Sequence, residues 1–405
     1  MYLGVPDLPA EHVMITDTSL KSQPISFKLT QEQEDIQFMV RELAQKEFAP
    51  RAAEVDKNHR FPRENFDLLA ASDLCGLIMP EKYGGVGLDH VCYAIAVEEM
   101  AKACATTSVL YSAHVSLTMK PVYIWGNEEQ KQKFLAPMAR GEKLGAFCLS
   151  EPGSGTDSAA ARCMAIRKGD EFILNGSKNW ITNGIEADYY LVIAQTDVSL
   201  KHKGLVALMV EKGAPGFTFG KLEDKLGIRG SSTCQVIFED TPVPVANMLG
   251  QTGDGFKVAM STLDGGRIGI ASQAVGIAQG AWDHAHKYSQ ERVAFGKTIN
   301  NFQAIQFMLA EMQCEIDAAR LLTHHASIAQ DRGERFTKEA AMAKLYASEV
   351  AMRSTVKCVQ IFGGYGYVTD YPAERYMRDA KITEIYEGTS EVQRIVIATN
   401  MLKGQ

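Results

Sequence analysis

At 405 residues the chain exceeds what one small core organises, so length alone predicts two or three domains. Hydrophobic residues make up 46% and charged residues 22%, the balance of a globular protein, and a net charge of −7 leaves no basic excess to neutralise the phosphates of a nucleic acid. Eight cysteines are scattered singly, without C-x-x-C or a nearby His pair, which predicts reduced intracellular thiols, no disulfide framework and no metal site.

Residues 1–28 carry acidic residues and prolines without an Arg-rich amphipathic pattern and read as an irregular arm. They read as neither signal nor transit peptide, which predicts a cytoplasmic protein, with the arm packed on a neighbouring subunit. No run of about 18 apolar residues follows, so no membrane span is expected. Thr30 with Gln33 has capping-box spacing and opens a helix through Phe38, Val40, Leu43 and Phe48, ending near Pro50. Further helical patterns cover Glu64 to Ser72, His90 to Lys102 and Glu128 to Ala139, with the glycine turn Tyr83-Gly84-Gly85 between them. Residues 29–144 therefore read as an all-helical domain.

After Gly145 the texture changes. Short apolar runs (Cys163 to Arg167, Phe172 to Leu174, Tyr189 to Ala194, Leu205 to Val210, Gln235 to Phe238) alternate with Gly, Asp, Pro and Lys turns. Residues 145–254 are expected to form a β-barrel or sandwich domain. From 255 to 405 the pattern is helical again, with long candidates at Phe256 to Arg292, Phe302 to Asp331, Lys338 to Phe362, Ala373 to Ala380 and Ser390 to Leu402. The alanine stripe Ala340, Ala343, Ala347, Ala351 predicts tight helix packing, and a four-helix bundle is expected. The fold class is thus α+β multidomain.

Several common chemistries are missing: no complete P-loop, no G-x-G-x-x-G after a strand, no G-x-S-x-G and no H-E-x-x-H. Three stretches remain. Ser150-Glu151-Pro152-Gly153-Ser154-Gly155-Thr156-Asp157 offers hydroxyls and exposed amides to phosphates or a heterocycle edge, or is an ordinary linker. Trp180-Ile181-Thr182 places a ring and a hydroxyl two residues apart, on one side of a strand, as a stacking platform with its hydrogen-bonding partner would need; a lone Trp on a strand is otherwise a core residue. Ile385-Tyr386-Glu387-Gly388-Thr389-Ser390 places one carboxylate beside a glycine before a fresh helix, with Ser390 as N-cap and Gln393 three residues on. Glu387 is either a solvated residue at a helix junction or a general base held in a fixed position.

Together with Lys225-Leu226-Gly227-Ile228-Arg229-Gly230, Leu263-Asp264-Gly265-Gly266-Arg267-Ile268-Gly269, Arg292-Val293-Ala294-Phe295-Gly296 and Gln360-Ile361-Phe362-Gly363-Gly364, these stretches resemble the acyl-CoA dehydrogenase family from about Leu29 to Leu402, and most closely its short-chain (butyryl-CoA) branch. The resemblance implies a helical–β–helical fold, one FAD per subunit, a homotetramer and electron-transferring flavoprotein as acceptor. It implies that Glu387 abstracts the α-proton of an acyl-CoA while hydride passes from Cβ to flavin N5. Phe147, Leu149 and Ser150 would meet the isoalloxazine edge, and Thr156 the junction of FAD and CoA. Trp180, Ile181 and Thr182 would cover the ring. Arg292, Gln303, Gln360, Gly363 and Gly364 would hold the diphosphate and adenosine of a neighbouring subunit's FAD, and Thr389 and Glu391 the FAD tail. Asp264 and Arg267 would line the CoA mouth, with Tyr386 and Gly388 beside the thioester.

Two positions depart from family patterns. Phe147 stands where many members have Tyr, so a hydroxyl contact is lost. Gly266 stands where one sub-branch carries its base, which leaves Glu387 without a rival. A branched, cyclic or aryl acyl group is the alternative substrate, with Tyr111, His114 and Tyr365 as pocket-floor candidates, although His114 reads equally as a satisfied core histidine. An oxygen-using oxidase or a non-catalytic flavin-binding protein are readings of another class.

Overall fold

The computed structural model describes residues 28–403, so the arm expected over 1–28 lies, apart from Lys28, outside the described residues. Eight helices come first: α1 (Gln31–Leu43), α2 (Ala49–Asn58), α3 (Arg63–Ala71), α4 (His90–Ala103), α5 (Ala105–Ser112), α6 (Lys120–Trp125), α7 (Glu128–Gln130) and α8 (Ala136–Ala139). The Thr30–Gln33 capping box forms in both directions, at 3.3 and 3.0 Å. The first helix does not stop near Pro50. A π-helical stretch at Ala44–Phe48 carries α1 into α2, and Pro50 falls in the first turn of α2. The same device recurs at Ala113–Met119 before Pro121 and at Lys131–Leu135 before Pro137. A widened turn relieves the clash between a proline ring and the carbonyl four residues back, and so lets the helix continue.

The run from α5 to α6 has no counterpart among the helical patterns above. Residues 104–122 are buried on every side, so no polar face marks the segment as a helix.

Eight strands follow: β1 (Gly145–Cys148), β2 (Met164–Lys168), β3 (Glu171–Ile181), β4 (Tyr189–Gln195), β5 (Leu205–Glu211), β6 (Phe217–Leu222), β7 (Cys234–Pro244) and β8 (Met248–Leu249). They form one sheet in the order β6-β7-β3-β2-β4-β5-β8, with β1 parallel to β4. β3 slips register against β7 between Lys178 and Ile181, a bulge at the candidate ring platform.

The chain then enters α9 (Gly255–Glu291), α10 (Gln303–Asp331), α11 (Thr337–Phe362), α12 (Ala373–Lys381) and α13 (Ser390–Leu402). One apolar core runs from Val40 and Phe48 through Met100 and Leu110 into Leu191 and Leu208 of the sheet. The second fills the bundle around Ile277, Met312 and Val350 and takes in Ala94 and Val109 from α4 and α5. No helix among the described residues is long and apolar enough to cross a membrane.

Candidate active site

The turn before α13 is built from two successive left-handed residues, Glu387 at φ 53° and Gly388 at φ 93°. Left-handed backbone is cheap for glycine and strained for glutamate, so the surroundings must hold it. Three groups do. The ammonium of Lys344, from α11, donates to the Gly388 carbonyl at 2.7 Å. The side-chain amide of Gln393 donates to the carbonyls of Glu387 at 3.2 Å and Gly388 at 2.8 Å. The Tyr386 hydroxyl donates to the Gln273 side chain, whose own amide bonds the Ala105 carbonyl at 3.0 Å. The N-cap is Thr389, which accepts from the Val392 amide; Ser390 is instead the first helical residue, one place later than expected. Gln393 is drawn to the turn carbonyls because two left-handed residues point them back toward the helix.

The Glu387 carboxylate faces α9. Its Oε2 is buried without a hydrogen-bond partner. Burial pushes this carboxyl up to about 7, with Lys344 and then Arg267 pulling the other way. A Cβ built on Gly266 would lie 2.1 Å from that oxygen and 2.6 Å from Leu117. Glycine at 266 therefore opens the space that the carboxylate occupies. Arg267 follows, buried, paired with Asp264 at 2.7 Å and with its Nε unpartnered. Thr337 donates to the other Asp264 oxygen at 2.7 Å. Asp264 and Arg267 thus join α9 to α11 beside the carboxylate.

A second cluster gathers at the sheet. The buried Lys178 ammonium bonds Glu151 at 2.7 Å and the Leu149 carbonyl at 3.0 Å, and the Asn179 backbone amide donates to the Ser150 carbonyl at 2.8 Å.

 The Asn179–Ser150 contact ties the loop after β1 to the end of β3 next to Trp180. Glu151 also accepts from the amides of Arg162 and Cys163, at 2.7 and 3.0 Å, so the loop is a braced element and not a free linker. Trp180 departs from the simple strand expectation. It sits in the β3 bulge at φ 62°, so the alternation that was to put Trp180 and Thr182 on one side of a strand does not apply. The residue is 62% exposed, which removes the core reading, whereas the Ile181 side chain turns into the core and leaves only its backbone to a ligand. Phe147 and Leu149 pack half-buried against the first core, while Thr156 is exposed. A flat heterocycle fits here: an exposed indole stands beside the braced loop, and a side chain on Gly153 or Gly155 would meet only open space.

The third group of expected residues lies elsewhere. Arg292 follows the last turn of α9, about 40 Å along the axis from Gly266. Its guanidinium covers the Tyr365 ring at 5.4 Å, and Gln303, Gln360, Gly363 and Gly364 are exposed on the neighbouring helix ends. One chain therefore does not bring Arg292 to its own Glu387. Thr389 and Glu391 flank the turn at the start of α13. Tyr111 and His114 are occupied internally. The Tyr111 hydroxyl donates to the Leu74 carbonyl at 3.0 Å. The His114 ring lies 3.1 Å from the Met138 carbonyl and accepts from the Gly145 amide at 3.0 Å, with burial lowering its pKa to about 4. Lys344 and Gln393 are the site residues that motif reading missed as such. A signal for Lys344 exists: it falls four residues after Ala340 and three before Ala347, on the buried alanine face.

Fold and site together define a flavin-dependent oxidoreductase of helical–β–helical build. Residues 30–142, 146–241 and 253–402 match the N-terminal, middle and C-terminal domains of acyl-CoA dehydrogenases. The short-chain specific acyl-CoA dehydrogenase of Clostridium acetobutylicum is 51% identical over 379 residues, covering 94% of this chain and 100% of that protein. The structure of butyryl-CoA dehydrogenase from Megasphaera elsdenii superposes with a TM-score of 0.92 at 48% identity, over 93% of this chain and 100% of that one. A structure from work on the electron transferring flavoprotein of Acidaminococcus fermentans and flavin-based electron bifurcation gives a TM-score of 0.93 at 53% identity, over 94% and 100%. The chain belongs to the acyl-CoA dehydrogenase family.

Proposed function

We propose that the protein oxidises a short-chain, butyryl-CoA-like thioester to its trans-2-enoyl-CoA, with Glu387 as the base and electron-transferring flavoprotein as the acceptor. The observation that carries this reading is the buried, partnerless Oε2 of Glu387 in a strained turn facing Gly266. FAD, when bound, supplies the acceptor for the hydride that leaves Cβ. The protein's own residues supply the rest. Glu387 takes the α-proton and becomes neutral, while the Arg267 guanidinium beside it favours negative charge developing on the substrate. Leu117 closes the space across from Gly266, and Tyr93 and Ser112, joined by a 2.9 Å hydrogen bond, do the same across from Gly269. These groups crowd the α9 glycine face and suit a short acyl chain.

Leu149, Ser150, Trp180 and Thr182 are proposed to hold the flavin ring. Arg292, Gln303 and Gln360 to Gly364 are proposed to hold the rest of a neighbouring subunit's FAD, a reading supported by their exposure and by the length of α9 that separates them from Glu387. The proposed assembly is a homotetramer and the proposed location the cytoplasm. Tyr111 and His114 lend nothing to a branched or cyclic substrate, because backbone hydrogen bonds use their polar atoms. Two measurements test the reading. Glu387→Gln should retain FAD yet fail to bleach it with butyryl-CoA in the absence of oxygen, and normal bleaching would remove Glu387 as the base. Across a panel of thioesters, kcat/KM should be highest for butyryl-CoA, and a preference for branched or cyclic groups would overturn the substrate.

A further inference from the structure

Lys344 is among the largest fully buried side chains, and the hydrogen bond of its ammonium goes to a backbone carbonyl. Burying an ammonium costs far more than one such bond returns, so packing and stability alone do not account for it. Its neighbours on the same face of α11, Ala340, Ala347 and Ser348, are small and fully buried, and bring the helix close to the Glu387 turn. We propose that Lys344 is a positioning residue for the base: by holding the Gly388 carbonyl it fixes the left-handed Glu387–Gly388 turn, and by bonding that carbonyl instead of the partnerless Oε2 it places a cation beside the carboxylate without occupying the oxygen that takes the proton. The proposal rests on Glu387 being the base.

The division of labour has a chemical reason. An ammonium bonded directly to the carboxylate oxygens would cover the lone pairs needed for proton abstraction and return the group to an ordinary, weakly basic carboxylate. One residue along the backbone, the same charge limits how far burial raises Glu387 and leaves its oxygen free. Lys344 is itself pulled down to about 8 by burial, opposed first by Glu387. The other charged groups acting on it come from every side of the turn: Arg267 from α9, Glu384 from the turn after α12, and Glu391 from α13. Arg267 is the second cation acting on Glu387, and it is already committed to Asp264.

The test compares Lys344→Met, Lys344→Gln and Lys344→Arg with the wild-type holoenzyme, with Glu387→Gln run in parallel. The readouts are the pH midpoint of anaerobic flavin reduction by butyryl-CoA at saturation, FAD content, and the pH titration of the Glu387 carboxyl by difference infrared spectroscopy on the oxidised, substrate-free holoenzyme, assigned by its loss in Glu387→Gln. Removing a nearby opposite charge moves a carboxyl by about one pH unit or more. Lys344→Met and Lys344→Gln should therefore raise both midpoints by about one unit, and slow reduction at pH 7 by about fivefold with FAD retained. Lys344→Arg, which keeps the charge and a donor, should stay within about half a unit of wild type in both readouts. Unmoved midpoints in the Met and Gln variants would overturn the proposal. Should neither of those variants fold, a full-unit upward shift in Lys344→Arg would do so. If Glu387→Gln bleaches normally while the infrared midpoint still moves in Lys344→Met, the failure lies with the base assignment and not with the Lys344–Glu387 coupling.

Discussion

The rate of flavin reduction should follow the ionisation of Glu387, and the structure sets where that happens. Burial lifts the carboxyl from 4.5 to about 7, against the pull of Lys344 and Arg267. A shift of that size corresponds to about 3 kcal/mol favouring the protonated form. Only the ionised form accepts a proton from the substrate. About a tenth of the enzyme is then competent at pH 6 and about nine tenths at pH 8, with a slope of about tenfold per pH unit below the midpoint. A bound thioester excludes further water, so the midpoint in the complex lies at or above that of the free enzyme. The assay is rapid anaerobic mixing with saturating butyryl-CoA, following the loss of oxidised-flavin absorbance from pH 5 to 9. A midpoint near the ordinary carboxylate value of 4.5, or a rate flat across the range, would refute the reasoning from burial to base.

Three further outcomes follow from the same contacts. Because the folded pKa of Glu387 lies above its unfolded value, the apoprotein loses stability as pH rises from 4.5 to about 7 and stays level above. Glu387→Gln should therefore be the more stable protein at pH 8, by up to about 3 kcal/mol, with the difference gone at pH 4; an equal gap in thermal unfolding at both pH values would contradict this. Gly388→Ala places a Cβ 2.7 Å from the Gln393 amide at φ 93° and should cost about 1–3 kcal/mol, together with activity, whereas an unchanged melting temperature would show that the turn relaxes freely. Lys178→Met leaves Glu151 buried without its cation and should cost about 3–5 kcal/mol; the flavin-to-protein ratio should fall with it, because Glu151 and Leu149 lose their side-chain brace to β3.

Much of the frame was legible because it is written in one-dimensional patterns. The bundle helices carry long apolar stripes, and α13 runs over Ser390–Leu402 as its pattern predicts. The illegible parts share a cause, which is that their environment is made by distant chain. The segment from α5 to α6 has no polar face because α4, α9 and the sheet surround it, so its periodicity vanishes at the point of deepest burial. Pro50 reads as a helix stop, yet a π turn just ahead of it carries the helix on, the device that also precedes Pro121 and Pro137. Trp180 reads as a strand residue, and β7 opposite decides that it sits in a bulge.

The turn at Glu387 divides in the same way. Its glycine and the helix after it are local features, so the corner and the candidate base can be read from the chain. Its chemistry is not local. The cations that act on Glu387 lie on α9 and α11, at Arg267 and Lys344, and the space for its oxygen is the missing side chain of Gly266. A lysine within an alanine face is the trace that the tertiary arrangement leaves in the sequence: such a face is small because another element comes close, and an ammonium carried inward there must meet a buried acceptor. The Gly388 carbonyl is that acceptor, and the left-handed turn is what aims it at α11. Backbone strain at Glu387 and charge burial at Lys344 are thus one arrangement, and relieving either alone should loosen the other.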